Sequence, residues 1–462
     1  MGRTSAVILA AGLGTRMKSA LAKGLHPAAG MPLIWYPVKA AFDAGVDRVV
    51  LVVGHQRDQV RAAVVEMFPD RPIEFVVQER QLGTAHATLC ARSAVAGDDR
   101  TVFINGDLPL LTADTIRAVI GAFDQSGGQF ALLTATVDEP GGFGRIVRDA
   151  GGVARIVEAR DATPEQREIR EVNVGVYVAS PDRMFERLEG ISASKGGEFY
   201  FTDLVSDLRR DGNSVGSWVL RDSFEAAQVN DRVELAQAEA RLRARKVREL
   251  QLAGVTIHDP ESVMIDYDCQ AGVDTEIDPC CEIRSGSHVG ERCRIGRGTV
   301  ISNSVIGDGV TVKPYCVFTD SRIDDGCVMG PFCHLRPASH AMAGAHVGNF
   351  VELKKTVLGR GSKANHLSYL GDCTIGTGAN IGAGTITCNY DGYSKMPTQI
   401  GDRAFIGSDT QIVAPCRIGD DAYVAAGTTV VKDVPDGALA ISRVEQSHVE
   451  GYAERKKAKA RR

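Results

Sequence analysis

The stretch IGDRAFIGSDTQIVAPCRIGDDAYVAAGTTV, residues 400–430, decides the fold of the second half of this chain. Its aliphatic residues Ile400, Ile406, Ile412, Ile418, Val424 and Val430 recur at every sixth position, and glycine follows the inward residue at 401, 407 and 419. A six-residue period fits neither a helix nor a lone alternating strand; it is the signature of a parallel β-helix. Each hexad makes one flat strand and a tight turn, three hexads close one triangular coil, and the repeated aliphatic points inward onto its copies. No coil can bury that stack alone, so such a domain is held by repetition. Glycine after the inward residue relieves crowding at the corner. The same register runs upstream through Ile265, Ala271, Ile277, Ile283, Val289, Ile295 and Ile301. It breaks twice, near residues 340–372 and at 387–399 (TCNYDGYSKMPTQ). Both breaks are expected to be loops on one face, where chemistry commonly resides.

Working back along the chain, residues 229–252 (VNDRVELAQAEARLRARKVRELQL) hold no Pro or Gly and few apolar residues, which predicts a linker helix partly exposed to solvent. Before it the texture is α/β. Apolar runs at 6–12 (AVILAAG), 48–55 (RVVLVVGH), 73–78 (IEFVVQ), 101–107 (TVFINGD) and 130–137 (FALLTATV) alternate with helical stretches such as Trp35–Gly45 and Thr84–Ala96. Continuous Val/Ile/Leu runs suit a mostly parallel sheet covered on both faces. The expected division is an α/β domain over 1–228, a linker helix over 229–252, a β-helix over 253–442, and an arm with a basic tail over 443–462. The last residues, GYAERKKAKARR, are basic and poor in apolar groups, so they read as a solvated, disordered tail.

At 462 residues, two or three domains are expected, and a hydrophobic share of 44% is enough for real cores. A net charge of −5 points to no nucleic-acid or membrane partner. The opening MGRTSAVILAAG reads as a buried strand rather than a signal peptide, and no apolar run is long enough to span a membrane. The eleven cysteines are odd in number, form no C-x-x-C pair and crowd into the second half. Free, mostly buried thiols in a reducing compartment, the cytoplasm, follow.

The first run is followed by LAAGLGTRMKSALAKGLH, residues 9–26. Glycine-rich turns there let backbone N–H groups approach a phosphate. The segment is not a dinucleotide fingerprint: Met17 stands where a third glycine belongs, and the second strand ends in GHQ without an acidic residue for a ribose hydroxyl. The spacing of a P-loop is also absent. G-x-G-T-R-M followed six residues later by Lys23 resembles the signature of sugar-nucleotide pyrophosphorylases, except that Ala22 stands where that family usually has Pro. The resemblance implies a Rossmann-like nucleotidyltransferase domain in which Arg16 and Lys23 grip the nucleotide phosphates as catalytic cations. It continues in family order through Leu9, Gly12, Gln78, the QLGTAHA run with Gly83 and Thr84, the NGD triplet with Asp107, GFGRI with Gly144, IVEA with Glu158, EVNVGVY with Asn173 and QVND with Asn230. These imply uracil, sugar and magnesium contacts, with Asp107 and Asn230 holding the metal. The implied chemistry is attack of a sugar phosphate on the α-phosphate of UTP, which needs positioning and charge neutralisation more than covalent help.

The block FCHLRPASHAMAGAHVGNFVELKKTVLGRGSKANHLSYLGDCTIGTGANIGAGTITCNYDG, residues 332–392, resembles the acetyltransferase half of the bifunctional uridylyltransferase/acetyltransferases that make UDP-N-acetylglucosamine. The resemblance covers most of the chain and keeps the domain order, and it implies a left-handed parallel β-helix of hexapeptide repeats. An amine acceptor, mostly protonated at neutral pH, needs a general base, and His366 in KANHLSY is the candidate. Arg336 and Lys354 supply charge for the sugar phosphate, while Tyr369, Asn380 and Lys395 hold the sugar. Asn389 and Tyr390 in the NYDG loop, the backbone at Ala383, Ser408 and Ala426, and Arg443 are implied contacts of acetyl-CoA. Cys388 beside Asn389 is the rival nucleophile, disfavoured because the amine can attack the thioester directly. Acetyl-CoA, UTP, glucosamine-1-phosphate, N-acetylglucosamine-1-phosphate and magnesium are the expected ligands, and a homotrimer of parallel columns is expected by resemblance. The runner-up is a single-function nucleotidyltransferase whose β-helix only regulates or oligomerises. A non-enzymatic solenoid scaffold is disfavoured by the phosphate and metal motifs of the first half.

Overall fold

In a computed structural model, which describes residues 2–54, 56–188, 201–442 and 445–461, the first apolar run forms strand β1 (Thr4–Ala10) at the heart of a sheet. Four further strands correspond to the other runs: β2 (Arg48–Val53), β3 (Ile73–Val77), β4 (Arg100–Asn105) and β5 (Phe130–Thr136). Helices α1 (Trp35–Asp43), α2 (Arg57–Met67), α3 (Thr84–Cys90) and α4 (Ala113–Gln125) alternate with them. Then come β6 (Arg145–Asp149), β7 (Gly152–Val157), β8 (Glu171–Ala179), α5 (Pro181–Leu188), α6 (Asp203–Arg210), β9 (Gly216–Val219) and α7 (Arg232–Leu252). The sheet runs β9-β5-β8-β4-β1-β2-β3, with β6 pairing both β8 and β7. β1 is parallel to β2 and β4, whereas β8 is antiparallel to β4 and β5. Alternate residues of the central strands feed two cores: Ile8, Leu51 and Ile104 face one side, and Val7, Val50 and Phe103 the other. Burial on both faces explains why these strands read as unbroken apolar runs.

The chain divides into two compact units, Met1–Arg243 and Ala244–Arg462, and α7 runs through the division. Among the described residues no helix is long and apolar enough to cross a membrane. The second unit is a three-faced column of parallel strands. Its first face has eleven strands, from Thr256–Ile257 to Leu439–Ala440, its second ten, from Met264–Ile265 to Thr429–Val430, and its third nine, from Gln270–Ala271 to Cys416–Ile418. The inward residues of the hexads form one continuous core with Phe318 among its fully buried side chains. The crowding that selects glycine is visible at Gly407, where a Cβ would lie 2.4 Å from the Ala426 nitrogen of the next coil.

The two register breaks have different causes. The break near 340–372 is not a loop, contrary to the expectation. Strands continue through it, but the coils there are shorter: Leu353 pairs with Leu370, a smaller step along the chain than the one from Ile283 to its partner Ile301. The shortening falls at the corner between the second and third faces. That corner turns through a single left-handed residue, Asn303 (φ 44°), Asp320 (45°), Lys355 (47°) or Asp372 (49°). Asn and Asp tolerate this conformation best. The break at 387–399 is a loop as expected: Ile375 pairs with Ile400 across an insertion at the same corner. The basic end is solvated as expected but is not a disordered tail: it forms a helix, Tyr452–Ala460, in which no residue is buried. All eleven cysteines are free thiols. Burial pushes Cys281 and Cys327 up to about 11, which leaves them inert.

Candidate functional sites

Parallel strands present their C-terminal ends to a cleft of about 720 Å³ in the first unit. Leu9 lies near the end of β1, the loop of Gly12 and Arg16 follows it, and Gln78 follows β3. Gly83 precedes α3 and Thr84 opens it; Asp107 lies just past β4. Gly144, Glu158, Asn173 and Asn230 come from the opposite wall and from the approach to α7. Every one of these, with Lys23, lines the same cleft.

The loop owes its shape to local geometry. Gly14 has φ 62°, and a Cβ there would sit 2.7 Å from the Lys23 Cβ. A larger residue would therefore strain the backbone and displace the lysine. Ala22 adopts φ −55° and ψ 139°, the conformation a proline would impose, so the turn into Lys23 keeps its form without one. Lys23 Nζ donates to Asp107 Oδ2 at 2.7 Å and to Asn230 Oδ1 at 2.9 Å. Two loops converge to make this possible: the Val229 N–H donates to the Asp107 carbonyl at 3.0 Å, and the Asn230 N–H donates to Glu234 at 2.6 Å. Asp107 Oδ1 is buried with no hydrogen-bond partner. A carboxylate oxygen left bare beside an amide oxygen, already bridged by an ammonium, fits a cation-binding pair. Two protein oxygens suit magnesium, which keeps waters and takes substrate phosphates as its other ligands. The described residues hold no larger cluster of acidic, His or Cys ligands.

The opposite wall carries two separate hydrogen-bonded groups. Asn173 Nδ2 donates to the Tyr177 hydroxyl at 2.7 Å, and Asn173 Oδ1 accepts from the Gly175 N–H at 3.3 Å. Thr202 Oγ1 donates to Glu158 Oε1 at 2.9 Å, while burial pushes the Glu158 carboxyl above its ordinary range. Tyr177 and Thr202 escaped the sequence reading. The signal for Tyr177 was its place on the same strand as Asn173, an even number of positions away.

In the second unit the expected residues fall into two columns, one at each corner of the second face. At the corner with the first face stands exposed His366, its Nδ1 2.9 Å from Asn349 Oδ1 one coil below. The same corner continues upward through Ala383, Ser408 and Ala426, linked as Gly384 N–H to His366 O, Asp409 N–H to Ala383 O and Gly427 N–H to Ser408 O. At the corner with the third face, Arg336 and Lys354 lie on successive coils, and Arg336 pairs with Glu352 at 2.9 Å. Lys395 lies against Lys354 and pulls the pKa of its ammonium below the ordinary value. The loop brings Lys395 there through a bridge to Tyr390, and Asp391 ties the Tyr393 and Ser394 N–H groups. Asn389 Nδ2 donates to Asp372 Oδ2 at 2.5 Å. Tyr369 projects from the second face between the columns, and Asn380 from the first face beside Lys363. Arg443 lies outside the described residues. Asn349 was also missed; stepping back one shortened coil from His366 would have found it.

A glycine cradle with an oxygen pair for a cation, followed by a hexapeptide column bearing an imidazole and a lysine cluster, defines a nucleotidyltransferase fused to an acyltransferase. The family model for the MobA-like NTP transferase domain matches residues 6–207, and that for the bacterial transferase hexapeptide (six repeats) matches 397–432. The bifunctional protein GlmU of Anaeromyxobacter sp. (strain Fw109-5) is 49% identical over 459 residues, which cover 99% of this chain and 93% of that one. The bifunctional protein GlmU of Pelobacter propionicus is 47% identical, over 99% of this chain and all of its own length. The chain belongs to the GlmU family. It is a bifunctional transferase with a uridylyltransferase and an acetyltransferase activity, and the match through both halves sets aside the single-function reading.

Proposed function

We propose that the second unit (the β-helix, from about residue 253) acetylates glucosamine-1-phosphate with acetyl-CoA, and that the first, about residues 1–228, joins the product to UMP from UTP with release of pyrophosphate. The observation that carries the reading is the convergence of Lys23, Asp107 and Asn230 in one cleft with all the other expected nucleotide and sugar residues.

In the uridylyltransferase site, the backbone around Gly12 cradles the nucleotide, and Gln78, Gly83 and Thr84 receive the uracil. Exposed Arg16, which pairs with no carboxylate among the described residues, swings onto the outer phosphates. Asp107 and Asn230 would hold magnesium, which would supply neutralisation of charge on the reacting phosphates. Lys23 then exchanges its carboxylate partner for the α-phosphate and stabilises the charge that develops there. Gly144, Glu158 and Asn173 orient N-acetylglucosamine-1-phosphate so that its phosphate oxygen attacks in line.

In the acetyltransferase site, Asn349 accepts from the His366 Nδ1–H and leaves Nε2 free to take a proton from the substrate amine. The amine attacks the thioester carbonyl, and CoA leaves as the thiol. Arg336, Lys354 and Lys395 bind the sugar phosphate, with Tyr369 and Asn380 on the sugar. Ala383, Ser408 and Ala426 run along the pantetheine arm, Asn389 and Tyr390 meet the acetyl end, and Arg443 meets the CoA phosphates. Cys388 takes no covalent part. Parallel columns pack as a trimer. Its support is an exposed ladder, Tyr315, Phe332 and Phe350 stacked at 5.4 Å spacings, which runs up the corner to Leu367 beside His366. Free thiols and these substrates support a cytoplasmic location.

The test is one mixture of protein, magnesium, acetyl-CoA, glucosamine-1-phosphate and UTP, with each component omitted in turn. UDP-N-acetylglucosamine should form only in the complete mixture. Replacing the first sugar and acetyl-CoA by N-acetylglucosamine-1-phosphate should restore it. Product formation from glucosamine-1-phosphate without acetyl-CoA would overturn the assignment.

A further inference from the structure

The wall of the first cleft that faces the sugar includes Gly142, Phe143 and Gly144, in the sequence Pro140-Gly141-Gly142-Phe143-Gly144. Glycines at 141, 142 and 144 make a soft turn. Its only internal tie among the described backbone bonds is the Phe143 N–H to the Pro140 carbonyl, at 3.1 Å. Yet Gly144 is wedged tightly. A Cβ there would lie 3.0 Å from Ile156 Cγ2 and 3.7 Å from both Asn173 Cβ and Glu158 Oε1. The Asn173 N–H holds the Gly144 carbonyl at 2.9 Å, and something outside the turn must also hold the 140–143 arc that leads into it.

The next residue does. Arg145 is only 4% exposed and opens β6, and no carboxylate pairs with it among the described residues. Its guanidinium instead collects backbone carbonyls. Nη1 donates to Phe143 O and, at 3.4 Å, to Pro140 O, and Nη2 donates to Gly141 O at 3.1 Å. Nε donates to Arg167 O at 3.4 Å, tying the turn to a neighbouring segment. A buried cation is tolerated only when its donors are satisfied, and here all the acceptors but Arg167 belong to the one turn. The planar fork matters, because an ammonium on a flexible stem cannot reach carbonyls spread over such an arc.

We infer that Arg145 is a positioning residue for the sugar phosphate of uridylyl transfer: it clamps the 140–143 turn so that the Gly144 wall stands preformed beside Glu158 and Asn173. The inference rests on the proposed assignment of that wall to the sugar. Arg145 touches no substrate; its effect is confined to the sugar side of the cleft, since the nucleotide cradle belongs to other elements.

The experiment is Arg145→Lys and Arg145→Gln in the full chain. KM for N-acetylglucosamine-1-phosphate, KM for UTP and acetyl transfer are measured together. The expected result is a rise of about tenfold or more in the sugar-phosphate KM, the worth of one or two lost hydrogen bonds. KM for UTP should stay within about twofold and acetyl transfer should not change, with Lys rescuing less than its charge would suggest. An unchanged sugar-phosphate KM would overturn the inference. So would parallel increases in both KM values, or failure of both variants to fold, since either would make Arg145 a general support of the sheet. Wild-type protein that does not turn over N-acetylglucosamine-1-phosphate would instead remove the underlying assignment.

Discussion

Replacing Asp107 by Ala removes one carboxylate and has two separable consequences. The first is on stability. The Lys23 and Asp107 side chains are mostly buried, with exposures of 17% and 20%, and sit 2.7 Å apart. Breaking a fully buried pair costs about 3–5 kcal/mol, and breaking an exposed one about 0.2–1 kcal/mol. Lys23 keeps its 2.9 Å bond to Asn230, so the loss here should lie between these limits, at about 1–2 kcal/mol. For a unit of this size that lowers Tm by about 2–8 °C, leaving the protein folded at about 25 °C. The second consequence is on catalysis. Asp107 Oδ1, the one bare buried oxygen of the pair, is lost together with the oxygen that binds Lys23. Losing one fixed electrostatic contact to a transition state costs about 10²–10³ in kcat, and the proposed cation and Lys23 would both lose their Asp107 contact, so uridylyl transfer should fall by at least about 10³. The assay is pyrophosphate release from UTP and N-acetylglucosamine-1-phosphate over a range of magnesium concentrations. Acetyl transfer by the same sample serves as the folding control and should be unchanged. Asp107→Asn, which keeps an acceptor for Lys23, should recover most of the stability and little of the rate. A folded Asp107→Ala protein retaining more than about a tenth of the wild-type rate would refute the reasoning, because the lost oxygens would then not be holding the reacting phosphates.

Three further outcomes are expected. His366→Ala should lower acetyl transfer by about 10²–10⁴ and spare uridylyl transfer. Asn349→Ala, which removes the side chain hydrogen-bonded to His366 Nδ1, should lower it by about tenfold; assays that report either half separately will show both effects. Glu158→Gln should weaken sugar-phosphate binding yet raise Tm at neutral pH. Burial lifts the folded carboxyl above its ordinary 4.5, against the opposing Thr202 bond. The folded state therefore binds more protons than the unfolded one, and stability falls as pH rises through that window and stays lower above it. The glutamine variant should lack this fall in melting curves taken from about pH 4 to 8; identical pH profiles for the two proteins would contradict the burial argument.

Much of the site was legible because its residues carry their chemistry in type and order. Lys23, Asp107 and Asn230 stand far apart in sequence, and only a shared motif order linked them before any distance was known. Arg145 was in plain view inside GFGRI, but an arginine after a glycine-rich turn reads as a surface charge. Its role appears only when four carbonyls are found around it. Asn349 was hidden by the assumption of a strict six-residue period, since the coil that joins it to His366 falls short of three full hexads.

The sequence by itself determined the two architectures, because periodicity is a local property: continuous apolar runs demand a sheet buried on both faces, and a sixfold repeat demands a three-sided column. It also determined which residue types were available for phosphate, cation and proton. Tertiary structure alone decided which corner of the column was shortened. It alone decided that Lys23 bridges the Asp107 and Asn230 oxygens, and that His366 and the lysine cluster stand on opposite edges of one face. These are distances between residues far apart along the chain, set by how coils stack and strands order, and no local pattern encodes them.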